Sequence, residues 1–262
     1  MRQAGELRTA TMAELVAGAL RQQIVDGRLN DGVRLPKQEE LAERFDISGP
    51  SVREGLRILE AEGLITVRRG KFGGAFVHTP QPANVAYTLA LVLEAKRVPL
   101  HEIGSALRDL EPLCAARCAA REDRANAVVP RLRGLQDQMR EAQASEYMEA
   151  IRLGLQFHET LVQCSGSQTL ITVIGALESI WFAHAEAWAA ADPGAQGIPN
   201  SDYAVTRTDE HEELIDAIAA GDVDHATAVA RRHIEHSKLH TASDLVTGQL
   251  VRAGLLAGRR PD

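Results

Sequence analysis

Arg53 and Arg57 lie four residues apart in SVREGLRILEAEGL, so a helix through this stretch puts both guanidinium groups on one face. Val52, Leu56 and Leu59 recur at i, i+4 and i+7 on another. A helix of this kind fits the major groove of DNA, where Arg can read guanine edges and hydroxyls such as those of Ser48 and Ser51 can hold phosphates. A second basic set follows in a glycine-rich turn that carries Arg68, Arg69, Gly70 and Lys71. Such a turn can lie along a nucleic-acid backbone or probe the minor groove. Two arginines alone are no more than a solvated face. The order of the elements around them gives them meaning.

The second half of the chain offers different chemistry. His158 shares a helix face with Ile151, Leu155, Leu161 and Val162, His211 with Leu214, Ile215 and Ile218, and His233 with Ala226, Val229 and Ala230. Each imidazole is thus directed into a helical core, on a different helix. A lone histidine on an apolar face is ordinarily a hydrogen-bonded core residue. Cys114 and Cys118 sit one helical turn apart, a spacing open to a metal or redox pair. In an Ala-rich helix of a chain with three cysteines they read instead as small core residues.

The elements that must position these groups are legible. Thr11 to Asp26 reads as a helix with Thr11 and Glu14 as a capping box and Val16, Leu20 and Ile24 as its buried stripe. A second helix spans Lys37 to Phe45, with Pro36 at its mouth. After a break at 46–51, Ser48 can cap the Arg53 helix with Pro50 in its first turn; Ser51 with Glu54 forms an alternative box. Gly63 closes it, and Leu64–Val67 and Ala75–Val77 read as two strands around the basic turn. Helix, turn, helix and basic hairpin make residues 1–80 a winged helix-turn-helix DNA-binding domain. His78-Thr79-Pro80-Gln81-Pro82 reads as the linker.

Residues 81–262 read as all-helical, in segments of about 83–97, 99–122, 124–142, 145–165, 167–191, 203–220 and 223–247, with a partly frayed tail from Gly248. The fold class is therefore mainly α: a winged head with a small β hairpin, then an all-α antiparallel bundle.

Composition agrees. Apolar residues make up 45% of 262, enough for two cores without staples. The net charge of −7 conceals an asymmetry: residues 1–80 hold 12 Lys+Arg against 11 Asp+Glu, and the remainder 17 against 25. An acidic body keeps nucleic acid to the head. With no uninterrupted apolar run of about 18 residues and no signal-like start, a cytoplasmic location without membrane contact is expected.

The phrases LP-x-x-EELAERF, S-x-x-S-VRE-x-L-x-x-LEAEGL and a basic G-x-x-G wing resemble the N-terminal domain of GntR-family bacterial transcription regulators over about residues 10–78. Three positions depart from that pattern: Glu39 and Gly49 stand where many members carry Arg, and Gly55 replaces a usual Ala. Lys37, Gln38, Ser48, Ser51, Arg53, Arg57, Arg69, Gly70 and Lys71 are the expected DNA contacts. ALRDLEPLCAARCAA, LQFHETLVQCSGSQTL, DEHEELIDAIAAGDVDHA and ARRHIEHS are similar to the effector domain of the FadR branch, over about 85–240.

That resemblance implies a dimerising bundle that holds a small carboxylate, often beside a metal. It makes His158, His211 and His233 candidate ligands for Zn²⁺ or Ni²⁺. The Asp usual one turn before the first histidine is Gly154 here. Arg108 and Glu111 lie near the expected pocket; Arg108, one residue out of the family register, is a candidate carboxylate clamp. His236 and His240 read as rim, and Trp181, Phe182 and Trp188 as core or pocket wall. The expected function is a dimeric, ligand-responsive repressor on a palindromic double-stranded operator. The alternatives are a hydrolase using the three imidazoles and an architectural DNA-binding protein without effector. The hydrolase lacks a clear general base, since Glu159 lies about 100° round the helix from His158.

Overall fold

The computed structural model describes residues 10–70, 73–80, 82–143, 147–191, 201–236 and 249–256. They form two compact units that divide between Gln81 and Pro82.

In the first unit, α1 (Met12–Val25) starts at a reciprocal capping box: the Glu14 backbone N–H donates to Thr11 Oγ1 (3.2 Å) and the Thr11 N–H to Glu14 Oε2 (2.7 Å). Its buried stripe of Val16, Leu20 and Ile24 packs on α3 (Gly49–Ala61). Between them, α2 (Gln38–Phe45) ends in a left-handed Asp46. Ser48, not Ser51, is the N-cap of α3: it accepts from the Ser51 N–H at 3.4 Å, while Glu54 pairs with Arg57. Val52, Gly55 and Leu59 are the buried residues of α3, and Leu56 is only partly covered. Gly55 explains itself, because a Cβ there would stand 3.0 Å from the Ala13 carbonyl oxygen. The glycine costs about 1 kcal/mol of helix propensity but lets α1 and α3 approach closely.

The wing is β1 (Ile65–Arg68) paired antiparallel with β2 (Gly74–Val77), from Ile65 opposite Val77 to Arg68 opposite Gly74. A third segment joins β2: Leu35 N–H donates to Ala75 O (2.8 Å) and Val77 N–H to Val33 O (2.9 Å). Val33-Arg34-Leu35 alternates but is too short a run, between Gly32 and Pro36, to stand out as a strand in the sequence. The expected linker also begins later. The His78 N–H donates to Leu64 O (2.8 Å) and the Thr79 N–H to Asp31 Oδ1 (2.9 Å), so both residues belong to the wing.

The second unit is helical: α4 (Pro82–Ala95), α5 (Leu100–Ala120), the short α6 (Arg124–Ala127), α7 (Val129–Gln143), α8 (Tyr147–Cys164), α9 (Gln168–Ala191), α10 (Ser201–Ala220) and α11 (Val223–Ile234). The helix expected over 124–142 is broken at Val128, because Pro130 cannot supply the N–H that would continue it. α5 serves two cores. Its first half, with Leu100, Ile103 and Leu107, belongs to one core with residues of α4 and α9; its second half, with Ala115 and Cys118, belongs to another with residues of α7, α8, α10 and α11. The first eighteen residues and more of α9 are apolar enough to span a membrane by length and hydropathy, yet Ile174, Ala176, Ile180 and Ala183 are spent on this core.

Two expectations concern the C-terminal part. α11 is regular to Ile234 and continues as π-helical backbone through Glu235 and His236; the rest of the expected 223–247 helix lies outside the described residues. Of the tail expected to be partly frayed from Gly248, residues 249–256 cross back over the bundle, and 257–262 lie outside the described residues. Leu100 N–H donates to Gln249 O (2.8 Å), Val251 N–H donates to Val98 O (3.0 Å), and Val251 is fully buried. The three cysteines are buried and unbridged. Burial pushes the Cys114 thiol up to about 11 and that of Cys118 to about 12, as inert core residues require.

Candidate functional sites: a recognition helix and a three-histidine centre

On the head, the buried Val52–Gly55–Leu59 stripe leaves Arg53 and Arg57 exposed on α3, Arg57 within 3.3 Å of Glu54. Ser48 and Ser51 stand at the helix start with their hydroxyls 2.9 Å apart. Lys37 caps α2 and is exposed. Gln38 has a structural task as well: its Nε2 donates to Gly49 O at 2.8 Å, bracing α2 against the first turn of α3. A Cβ at 49 would come within 3.1 Å of that Nε2, so the departure at Gly49 makes room for the brace. Arg69 and Gly70 are exposed at the wing tip, and Lys71 lies outside the described residues. Arg34, which sequence reading passed over, lies on the added edge segment opposite Phe76, and Arg68 lies over the Phe76 ring at 5.1 Å.

In the body, three helices each aim one imidazole at a common centre. The His158 face of α8 is fixed by Leu153, Phe157 and Leu161; His211 rides with Leu214, Ile215 and Ile218 on α10; His233 with Ala226, Val229 and Ala230 on α11. The α10–α11 hairpin is closed by Gly221 and by Asp222, whose side chain accepts from the His225 N–H at 3.0 Å. All three histidines are buried, and their candidate ligand atoms lie within 4.8 Å of one another. His211 Nε2 is 3.0 Å from His233 Nε2, which is 3.3 Å from His158 Nε2. Phe157 stacks on the His211 ring at 3.9 Å and holds its plane.

Each Nδ1 faces an outer partner. His158 Nδ1 is 2.5 Å from Glu111 Oε1, His211 Nδ1 3.0 Å from Gln136 Oε1, and His233 Nδ1 3.1 Å from Glu210 Oε2. Carboxylate and amide oxygens accept, so each Nδ1 carries the proton. With all three rings neutral, as metal ligation requires, three Nε2 lone pairs would face each other. Glu210 also meets His236 Nδ1 (2.6 Å) and Arg232 Nε (3.2 Å). Burial by itself would raise its pKa, but the His233 and His236 hydrogen bonds and charges outweigh that and bring it to about 2.

Sequence reading marked the three histidines and missed Gln136 and Glu210. Glu111 had one signal, a carboxylate set within the apolar stripe of Leu107, Cys114 and Ala115. Arg108 pairs with Asp109 (3.5 Å) and Glu235 (3.7 Å), while Leu107, at the family's Arg position, is fully buried. Gly154 is buried on α8, one turn before His158. Glu159 is exposed and accepts from Gln163 Nε2 (3.1 Å), so it supplies no base to the centre. Trp181 packs against the α4–α9 core; His240 and the Trp188 side chain lie outside the described residues.

The comparisons follow the same division. The description "Bacterial regulatory proteins, gntR family" matches residues 12–77, and "FCD domain" matches residues 102–236. The chain is 26% identical over 250 residues to the Uxu operon transcriptional regulator of Escherichia coli, covering 88% of this chain and 89% of that one. It is 28% identical over 227 residues to the HTH-type transcriptional repressor NanR of Cronobacter sakazakii, covering 85% and 82%. Among solved structures, Streptococcus agalactiae GntR shares the fold with a TM-score of 0.67 at 20% identity, over 87% of this chain and 99% of that one. A gntR-type head followed by an FCD body, in a chain whose relatives are regulators and not enzymes, places it in the GntR family of bacterial transcription regulators: it is a DNA-binding, ligand-responsive regulator of the FCD branch.

Proposed function

We infer that the protein is a cytoplasmic repressor that binds a palindromic operator as a homodimer and is released or retuned by a small carboxylate held at the three-histidine centre. Repression is the role printed for the NanR relative. α3 would enter the major groove with Arg53 and Arg57 at base edges, Ser48, Ser51, Lys37 and Gln38 at its mouth, and the wing residues Arg69, Gly70 and Lys71 on the backbone. Effector binding would bias the spacing of two heads over half-sites about one helical turn apart.

The observation that carries the sensing role is the convergence of three Nε2 atoms whose rings are already satisfied at Nδ1. Three neutral rings at this spacing present lone pairs that a cation, or shared protons, would hold together. The donor set passes a simple test of fit. Two imidazole nitrogens at ~2.0–2.1 Å from one ion are ~2.9–3.4 Å apart in octahedral or tetrahedral geometry, and the closest pairs here are 3.0 and 3.3 Å. Three nitrogens with no carboxylate among them favour Zn²⁺ or Ni²⁺ over harder ions. His158, His211 and His233 would hold the ion, and with glycine at 154 no side chain would supply a fourth ligand from the turn before His158. Bound there, a divalent cation supplies a positive centre with open positions for a carboxylate.

Elemental analysis of the purified protein, with operator binding titrated against a panel of carboxylates, tests this. A stoichiometric Zn²⁺ or Ni²⁺ content lost in His211→Ala, and a carboxylate that changes operator affinity, are expected. No metal at any added concentration would overturn the metal, and an unresponsive panel the carboxylate.

A further inference from the structure

We propose that Glu111 is the positioning residue of the metal centre, supplying through His158 the negative charge that the glycine at 154 withholds. The inference rests on the metal reading above. Glu111 is 1% exposed, deep on α5 between Leu107 and Ala115, and its Oε1 lies 2.5 Å from His158 Nδ1. A carboxylate is costly to bury unless an opposite charge answers it. Glu210, the other buried carboxylate beside the cluster, already shares its charge with Arg232 and His236. Glu111 Oε1 meets a ring whose far nitrogen faces another imidazole of the cluster.

A carboxylate on Nδ1 fixes the ring's tautomer and plane and makes Nε2 a stronger donor to a metal. In this chain that contribution has a specific reason to be large. α8 carries no side chain at 154, so no anionic ligand reaches the centre from the turn before His158. Charge compensation therefore moves one shell outward and onto another helix, from α8 to α5. Pro112 follows Glu111 directly and is buried with it, so the stretch of α5 that presents the carboxylate is packed in place.

The test uses the full chain with Zn²⁺ alone, measured by chelator competition, and with Co²⁺ as a spectroscopic probe. Glu111→Gln keeps an acceptor oxygen and removes the charge. It is expected to weaken Zn²⁺ about 10–100-fold and to shift the Co²⁺ absorption bands. Its metal-free thermal midpoint should not fall, because a buried charge has been removed. Gly154→Asp placed in the Glu111→Gln background should recover most of the lost affinity by returning an anion at the first shell. Zn²⁺ affinity in Glu111→Gln within about twofold of the parent would overturn the proposal while leaving the metal site standing. So would a loss that comes with a lower metal-free midpoint and no recovery in the double variant, since that makes Glu111 a packing residue. A parent protein that binds no Zn²⁺ would remove the metal reading and this proposal with it.

Discussion

Individual residues divide into those whose task a helical wheel reveals and those whose task depends on a partner from another helix. Arg53 belongs to the first kind: it is exposed on the face of α3 opposite the Val52–Leu59 stripe. Arg53→Ala should weaken binding to the cognate operator by about 1–3 kcal/mol, and binding to random duplex by less. Equal losses in parallel titrations would make it a phosphate contact. Gly55 was legible only as an oddity, a helix-breaking residue where Ala is usual, because the Ala13 carbonyl that occupies its missing Cβ space lies 42 positions away. Gly55→Ala should therefore fall short of the about 1 kcal/mol that propensity alone would add, as read from thermal or urea unfolding. A full gain would mean that α1 shifts without cost. The three histidines were legible from their phases, since each lies with Leu, Ile, Val or Ala neighbours on a buried stripe. Gln136 and Glu210 were not, and Glu111 only as a carboxylate near the expected pocket, because pairing between helices leaves no period in one helix's sequence.

At the level of elements, capping and periodicity recovered most helices to within a few residues, as the Thr11 box and the Asp222 cap illustrate. The failures have a common physical cause. The 32–35 edge segment and residues 249–256 are held by backbone hydrogen bonds to distant chain, which side-chain patterns do not encode. The second of these is stitched down by two polar anchors. Glu94 Oε2 accepts from the Ala253 N–H (2.8 Å), and His184 Nε2 accepts from the Arg252 N–H (3.0 Å) while its Nδ1 donates to Ile180 O (2.8 Å). Burial, with Arg252 nearby, holds the His184 pKa below the ordinary 6.5 despite the Ile180 hydrogen bond and the Glu94 charge. The unfolded chain thus takes up this proton first. The stability from neutral His184 is whole above 6.5 and is lost as pH falls through that value toward the folded pKa. Hydrogen exchange at the Arg252 and Val251 amides, corrected for intrinsic rates, should lose protection below pH 6.5, and His184→Leu should flatten that dependence. Protection independent of pH would remove His184 as an anchor.

For the whole molecule, the proposed dimer on a palindrome raises the question of what would join two heads. The body has its own cores, and one of its outer faces is left apolar. α4 buries Ala86 and Ala90 against α9 and turns Val85, Tyr87, Leu91 and Val92 outward, each more than 40% exposed. No charged residue interrupts 82–93, and Glu94 is spent on the Ala253 N–H. An uncharged face of this extent is a liability on a monomer and an asset at a two-fold interface. α4 is also the first helix after the division between the units, so a dimer joined along it would fix where two heads leave the body. Residues 81–262 alone should accordingly sediment as a dimer at micromolar concentration. Leu91→Asp in the full chain should give a folded monomer, because two copies of the new carboxylate would meet in apolar surroundings. That monomer should lose affinity for a full palindrome while keeping its affinity for a single half-site. A Leu91→Asp protein that remains dimeric would move the interface off α4. Loss of half-site binding as well would place the fault in folding, which circular dichroism of the same sample would reveal.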